Sequence, residues 1–267
     1  MELRWKRENG IWIFGGAPVG RTGKEAGVVL CLNLLKNLKL GKMVLSVGCA
    51  LAVELQLLKK RGFITVGLDP ERSFLLEGKA RNNSDDFIQA IGESIPLCDG
   101  SFDLVLLCEV LEHVIKPEAV LEEISRVLKP NGILFLTVPN KFCLFETHGI
   151  QIYQKQINNL LGIGIPFFSL APNFLRRRLE RARIYSEAEV ISLLRNHCFE
   201  PFIIEYLMPS LDILRQTPLT KAIRRVFLSL NKVPIIRKFG VSIMVVSKNA
   251  HVLEEYESDR PDASFNK

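Results

Sequence analysis

Two hydrophobic periodicities alternate along this chain, and the alternation predicts its architecture. Met43 to Val47 (MVLSV), Ile64 to Asp69 (ITVGLD), Phe87 to Ile91 and Phe102 to Leu107 (FDLVLL) are short blocks rich in apolar side chains, as expected of buried strands. The last of these ends on the polar pair Cys108–Glu109. Pro117 then opens a segment in which Val120, Leu121, Ile124, Val127 and Leu128 recur at helical spacing. Asn131–Gly132 is expected to end that helix, with Ile133 to Val138 as the next strand. Farther on, Ser186 and Glu189 stand at capping-box spacing, and Val190, Ile191, Leu193 and Leu194 give the helix they start a buried side. Val241 to Ser247 is the last predicted strand. Strands alternating with amphipathic helices predict an α/β fold built on a mostly parallel sheet with helices on both faces. Ligands of such sheets bind beyond the carboxyl ends of the strands, where Cys108, Glu109, Pro139 and Asn140 fall.

The segment Met43-Val-Leu-Ser-Val-Gly-Cys-Ala-Leu-Ala reads as a strand feeding a helix through a tight turn. Such a turn lets backbone amides approach a ligand, with a helix N-terminus behind them. The next strand ends on Asp69–Pro70, about twenty residues beyond Gly48, a spacing that suits a carboxylate accepting ribose hydroxyls. The competing reading is an Asp that caps a helix beginning near Glu71.

Composition narrows the class. A chain of 267 residues can bury a large core as one compact enzyme. Its six cysteines are scattered without paired metal-ligand spacing, so a reducing compartment and no metal are expected. The N-terminus MELRWKRENGIWIF lacks the apolar core of a signal peptide, and no apolar run reaches transmembrane length. The segment Gly20-Arg-Thr-Gly-Lys lacks the spacing and the preceding strand of a phosphate loop, which excludes an NTPase of that kind.

Charge is distributed unevenly. Residues 1–148 carry 18 basic and 18 acidic side chains, residues 149–250 carry 15 and 6, and residues 251–267 carry 2 and 5. The net charge of +6 therefore arises from one segment, which is also strongly apolar. Within it, Arg176, Arg177, Arg178, Arg181 and Arg183 follow an apolar insertion. Leu219 to Asn231 then places Leu219, Ala222, Ile223, Val226, Phe227 and Leu230 on one helical face, bordered by Lys221, Arg224 and Arg225. An apolar face with a basic rim suits an anionic membrane surface. The other reading is a helical cap whose basic residues are simply solvated. Nucleic acid is disfavoured, because the basic residues alternate with large aliphatics rather than exposed aromatics.

One series of residues carries a resemblance. Ile95-Pro-Leu, Phe102–Asp103, Leu111-Glu-His113, Arg126, Leu128-Lys-Pro130 and Gly132 occur in the order found in class I S-adenosylmethionine-dependent methyltransferases. The chain most resembles the group containing the ubiquinone/menaquinone-type enzymes, over roughly Met43 to Asn140. The resemblance implies a Rossmann-like sheet of seven strands, with the last antiparallel and inserted between its neighbours. It also implies a penultimate helix leading into a strand at Phe199 to Leu207, and a helical insertion before the C-terminal part. The implied segments are an N-terminal arm and lid helix at 1–42, a cofactor core at 43–144, a basic-apolar insertion at 145–185, a C-terminal part at 186–250 and a tail at 251–267.

By the same resemblance, the cofactor is S-adenosylmethionine, held by Ser46, Gly48, Cys49, Ala50, Asp69, Pro70, Ile91, Gly92, Glu93, Cys108 and Glu109. The resembled pattern has an acid where this chain has Ser46, glycines where it has Ala50 and Ala52, and often an Asp where it has Ile91. An oxygen or nitrogen acceptor needs a base, and His148 and His113 are the candidates. Three readings follow. The first is methyl transfer to an apolar or lipid-linked acceptor (quinone or glycan type), preferably at oxygen, by a cytoplasmic protein associated with an anionic membrane. The second is methyl transfer to a soluble metabolite or glycan. The third is a methyltransferase fold without catalysis, acting as a scaffold or regulatory partner.

Overall fold

The computed structural model describes residues 41–143, 182–207 and 238–251, and the backbone of short strands at 5–8, 11–14, 145–146, 150–152, 155–157 and 165–166. The lid helix, His148, the apolar centre of the insertion, Arg176 to Arg181 and the amphipathic stretch 219–231 lie outside the described residues. Near the N-terminus, β1 (Trp5–Glu8) and β2 (Ile11–Phe14) form an antiparallel hairpin.

The core then alternates strand and helix as the apolar pattern requires. In order come β3 (Met43–Val47), α1 (Val53–Lys59), β4 (Ile64–Asp69), α2 (Arg72–Ala80) and β5 (Asp86–Gln89). They are followed by β6 (Phe102–Cys108), α3 (Pro117–Val127) and β7 (Leu128–Pro139). Four short strands follow, β8 (Phe145–Glu146), β9 (Ile150–Ile152), β10 (Lys155–Ile157) and β11 (Ile165–Pro166). β9 pairs with β10 and β8 with β11, both antiparallel. The chain closes with α4 (Glu187–Arg195), β12 (Phe199–Leu207) and β13 (Ser242–Asn249). Among the described residues no helix is long and apolar enough to cross a membrane.

Seven strands form one sheet in the order β12-β13-β7-β6-β3-β4-β5. β13 lies between β12 and β7, antiparallel to both, as the resemblance implied. Alternation along the strands sends side chains to two cores. Leu45, Val47, Val105, Leu107, Leu134 and Leu136 pack with Val120, Leu121 and Ile124 of α3 and with Val190 and Leu194 of α4. Val44, Leu104, Leu106 and Phe135 pack on the other face with Leu55 and Leu58 of α1 and Leu75 of α2. The central strands are therefore covered on both sides, which explains their nearly continuous apolar sequence.

Two expected boundaries are corrected. The third strand spans Asp86–Gln89 rather than Phe87 to Ile91, because its pairing with β4 ends at Gln89 opposite Asp69 and a turn begins at Gly92. Helix α3 ends at Val127, not at Asn131–Gly132, since Leu128 is already extended (φ −73°, ψ 139°). Asn131 and Gly132 form a bend within β7 instead: Asn131 has φ +63°, and a Cβ on Gly132 would approach the Lys129 carbonyl to 2.9 Å. The expected capping box is complete, with Glu189 N–H donating to the Ser186 hydroxyl and Ser186 N–H donating to the Glu189 carboxylate.

Candidate cofactor and active site

From β3 the chain winds outward through β4 and β5, then crosses back to β6 and β7 on the opposite side of β3. The strand order therefore reverses between β3 and β6, the place where such sheets open a crevice at their carboxyl ends. Register brings the candidates to that edge together. Val47 pairs with both Leu68 and Leu107, and Asp69 pairs with Gln89. Gly48, Asp69–Pro70, Ala90 to Gly92 and Cys108–Glu109 thus leave the sheet side by side.

The turn after β3 has the backbone of a glycine turn without all of its glycines. Gly48, Ala50 and Ala52 have φ of +67°, +47° and +52°. Glycine adopts this left-handed conformation freely, whereas each alanine costs about 1–2 kcal/mol. Gly48 is also required by packing, since a Cβ there would meet Val110 Cγ2 at 2.5 Å. Hydrogen bonds hold the alanines in place. Cys49 N–H donates to the Leu68 carbonyl at 3.0 Å, and Ala50 N–H donates to Asp69 Oδ2 at 2.8 Å.

Asp69 has two tasks. Its Oδ1 also accepts the Glu71 N–H at 2.9 Å at the start of α2, as the competing reading of a helix-start acid expects. It is buried, 7 % exposed. A carboxylate has about four acceptor positions, and these two bonds leave roughly two for ribose hydroxyls.

The other candidates divide by environment. Cys49 and Cys108 are buried, Pro70 is exposed and Glu93 is half-buried. Ile91 is 52 % exposed beside buried Gly92, an apolar surface at the crevice edge suited to the face of a purine. Glu109 has φ +55°, and its N–H donates to the Thr137 carbonyl at 3.0 Å and hydroxyl at 3.1 Å. A non-glycine residue held left-handed at a crevice suggests functional strain. His113 is exposed, with Nε2 3.7 Å from Glu112 Oε1. Ser46 is buried and donates to Glu54 Oε1 at 2.9 Å.

Sequence reasoning overlooked Glu54 and the clamp formed by Arg126. The Arg126 guanidinium donates to the Ile95 and Leu97 carbonyls, at 2.8 Å each, and to Glu123 and Asp99. Ile95 N–H in turn donates to Glu123 Oε2 at 2.6 Å. This clamp fixes the loop that follows Ile91 and Gly92. It also gives the physical reason that Ile95-Pro-Leu and Arg126 belong to one pattern.

A sheet of this order with its ligand turn after the first core strand is the architecture of class I methyltransferases. Residues 45–136 match the methyltransferase domain family. Over those residues the chain is therefore similar to methyltransferase domains. It is 28% identical over 177 residues to the human mitochondrial ubiquinone biosynthesis O-methyltransferase, covering 60% of this chain and 47% of that protein. It is 27% identical over 210 residues to a ubiquinone/menaquinone biosynthesis C-methyltransferase of Campylobacter jejuni, covering 76% and 86% respectively. The chain thus spans about half the length of the human relative. A crystal structure of an S-adenosylmethionine-dependent methyltransferase from Mesorhizobium loti shares the fold with a TM-score of 0.56, at 14% identity over 83% of this chain and 97% of that one.

Proposed function

We propose that this protein transfers a methyl group from S-adenosylmethionine to a small, apolar acceptor of quinone type, at oxygen. The observation that carries this reading is the turn Gly48–Ala52. It keeps a left-handed backbone at all three alternating positions although two are alanine, and Asp69 holds it against the end of β4. A turn with no ligand to serve has no evident reason to carry that strain.

The residues fit the cofactor. Asp69 retains acceptor capacity for a ribose, Ile91 offers an apolar face for adenine, and the turn presents main chain at the crevice. When bound, the cofactor supplies the electrophilic methyl of a sulfonium. The chain's own work is to position the reactants, which can account for much of the acceleration of such a displacement. Oxygen as target and a quinone as acceptor rest on the similarity to the ubiquinone biosynthesis O-methyltransferase. The basic, apolar segment 149–250 supports an acceptor carrying a lipid tail at an anionic membrane. His148 is the preferred base for the acceptor hydroxyl, ahead of His113, because it follows the crevice end of β7 in the chain.

Calorimetric titration with S-adenosylmethionine and S-adenosylhomocysteine tests the reading, with Asp69→Asn as the control that preserves one acceptor for the turn. Micromolar binding, weakened in the variant, supports it. A folded protein that binds neither ligand overturns it and leaves the scaffold reading.

A further inference from the structure

Residues 182–185 run between the end of β7 and the loop 109–116 that joins β6 to α3. On one side they extend the sheet. Tyr185 N–H donates to the Pro139 carbonyl at 3.0 Å, and the Tyr185 carbonyl accepts the Lys141 N–H at 2.8 Å. On the other side they reach three carbonyls of the loop. Tyr185 Oη donates to Leu111 at 3.1 Å, Arg183 N–H to Glu112 at 3.1 Å and Arg183 Nη2 to Ile115 at 3.0 Å. The side-chain bonds join residues 74 and 68 positions apart in the chain. Tyr185 is buried and Arg183 is exposed. Arg183 also closes the arginine series of the basic segment, and here its guanidinium serves a loop.

The loop held in this way borders the crevice. It begins at Glu109, left-handed at φ +55°, and Val110, whose Cγ2 would stand 2.5 Å from a Cβ on Gly48. Val110 and the turn after β3 therefore fit together with no room to spare. His113 belongs to the same loop, and its N–H donates to the Val110 carbonyl at 2.9 Å. A shift of the loop towards β3 would strike the turn, and a shift away would uncover it. The side chains that hold its carbonyls come from a segment beyond β7, not from β6 or α3. Contacts that fix one wall of a binding site change its affinity without touching the ligand, and the coupling is reciprocal.

Resting on the cofactor assignment above, we infer that Arg183 and Tyr185 are positioning residues that set the loop 109–116 against the turn at Gly48. Binding at the turn and order in the segment 182–185 are then coupled.

Two measurements separate this role from that of a brace for the fold. In hydrogen exchange, S-adenosylhomocysteine is expected to slow the amides of the loop 109–116 and those of Arg183 and Tyr185 together, by about fivefold or more. In calorimetric titration, Tyr185→Phe is expected to weaken S-adenosylhomocysteine binding about fivefold, the equivalent of one neutral hydrogen bond, and to cancel most of that slowing. Arg183→Ala is expected to act in the same direction. Arg183→Lys, which keeps a cationic donor of similar reach, is expected to regain part of the loss. If Tyr185→Phe melts below the assay temperature, the two variants of exposed Arg183 carry the comparison. Unchanged affinity in the variants, or exchange at Arg183 and Tyr185 that ignores the ligand, overturns the inference while the cofactor assignment stands. A folded wild-type protein that does not bind S-adenosylhomocysteine overturns both together.

Discussion

Asp69 Oδ2 accepts the Ala50 amide at 2.8 Å while its Oδ1 accepts the Glu71 amide at 2.9 Å, so one side chain joins the turn after β3 to the start of α2. Asp69→Ala leaves two amides without acceptors in a poorly solvated place. Charged hydrogen bonds contribute about 1.5–3 kcal/mol each, so losing the two is expected to cost on the order of 3–6 kcal/mol, and to abolish cofactor binding. Asp69→Asn keeps a carbonyl acceptor and is expected to recover part of the stability. Urea unfolding measures both effects, and an Asp69→Ala protein as stable as wild type would contradict this role.

Ala50 and Ala52 make the opposite prediction, since here the native residues are the strained ones. Glycine relieves about 1–2 kcal/mol of left-handed strain at each position. It also gives back about 0.4–1 kcal/mol through the freedom of the unfolded chain. Ala50→Gly is therefore expected to stabilise by up to about 1 kcal/mol, and to bind S-adenosylhomocysteine at least as tightly as wild type. Thermal melting and titration check the two parts. A lower melting temperature would show that the alanine methyl makes a contact worth more than the strain.

The fold was largely legible because burial on both faces writes itself into the strands: Phe102 to Leu107 and Ile133 to Val138 are apolar except for Asp103 and Thr137. The strand at Phe199–Leu207 and the box at Ser186 were legible as well, the second because it depends on local spacing alone. The end of α3 was not. Asn131–Gly132 is a true turn signal, but it belongs to a bend inside β7, and a sequence does not say which element a turn interrupts. In the candidate site, Gly48, Asp69 and Glu109 could be placed from strand ends. Glu54 could not, because its meaning depends on a hydrogen bond to Ser46 across the turn. Arg126 was noted only as part of a pattern, since its partners Ile95 and Leu97 lie far away in sequence.

The Arg126 clamp has a pH signature. Hydrogen bonds from the Arg126 guanidinium, assisted by the Ile95 amide, hold the Glu123 carboxyl below its ordinary value of 4.5. A carboxyl depressed in the folded state contributes stability that is fully present above its unfolded value and lost as pH falls through the folded one. The stability difference between wild type and Glu123→Gln is thus expected to hold above about pH 4.5 and to shrink below it. Urea unfolding at pH 7, 4.5 and 3.5 measures the difference (pH values set from about the usual carboxylate range). A difference independent of pH would mean that Glu123 acts through packing and not through its charge.

Asn140 ties three segments at the crevice end of β7. Its Nδ2 donates to the Lys238 and Gly240 carbonyls at 2.8 Å each, ahead of β13, while its Oδ1 accepts the Phe142 amide at 3.1 Å. Its own N–H donates to the Val241 carbonyl, and it bridges to Tyr185 before α4. The side chain is 2 % exposed, so Asn140→Ala leaves several polar groups orphaned, at about 1–3 kcal/mol each. A total loss on the order of 2–4 kcal/mol is expected. Asn140→Asp is the sharper test, because it preserves shape but sets a carboxylate against two carbonyl oxygens. At neutral pH it is expected to be at least as destabilising as Asn140→Ala. Those carbonyls favour the protonated acid, which can donate as the amide did, so the introduced carboxyl titrates above its unfolded value of about 3.9. The folded state then binds more protons than the unfolded state, and stability rises as pH falls through that raised value. Denaturant unfolding of Asn140→Asp from pH 7 downward, compared with Asn140→Ala, checks the sign: a gap between the two that does not close or reverse on acidification would mean that the amide donors do not bear the strain assigned to them.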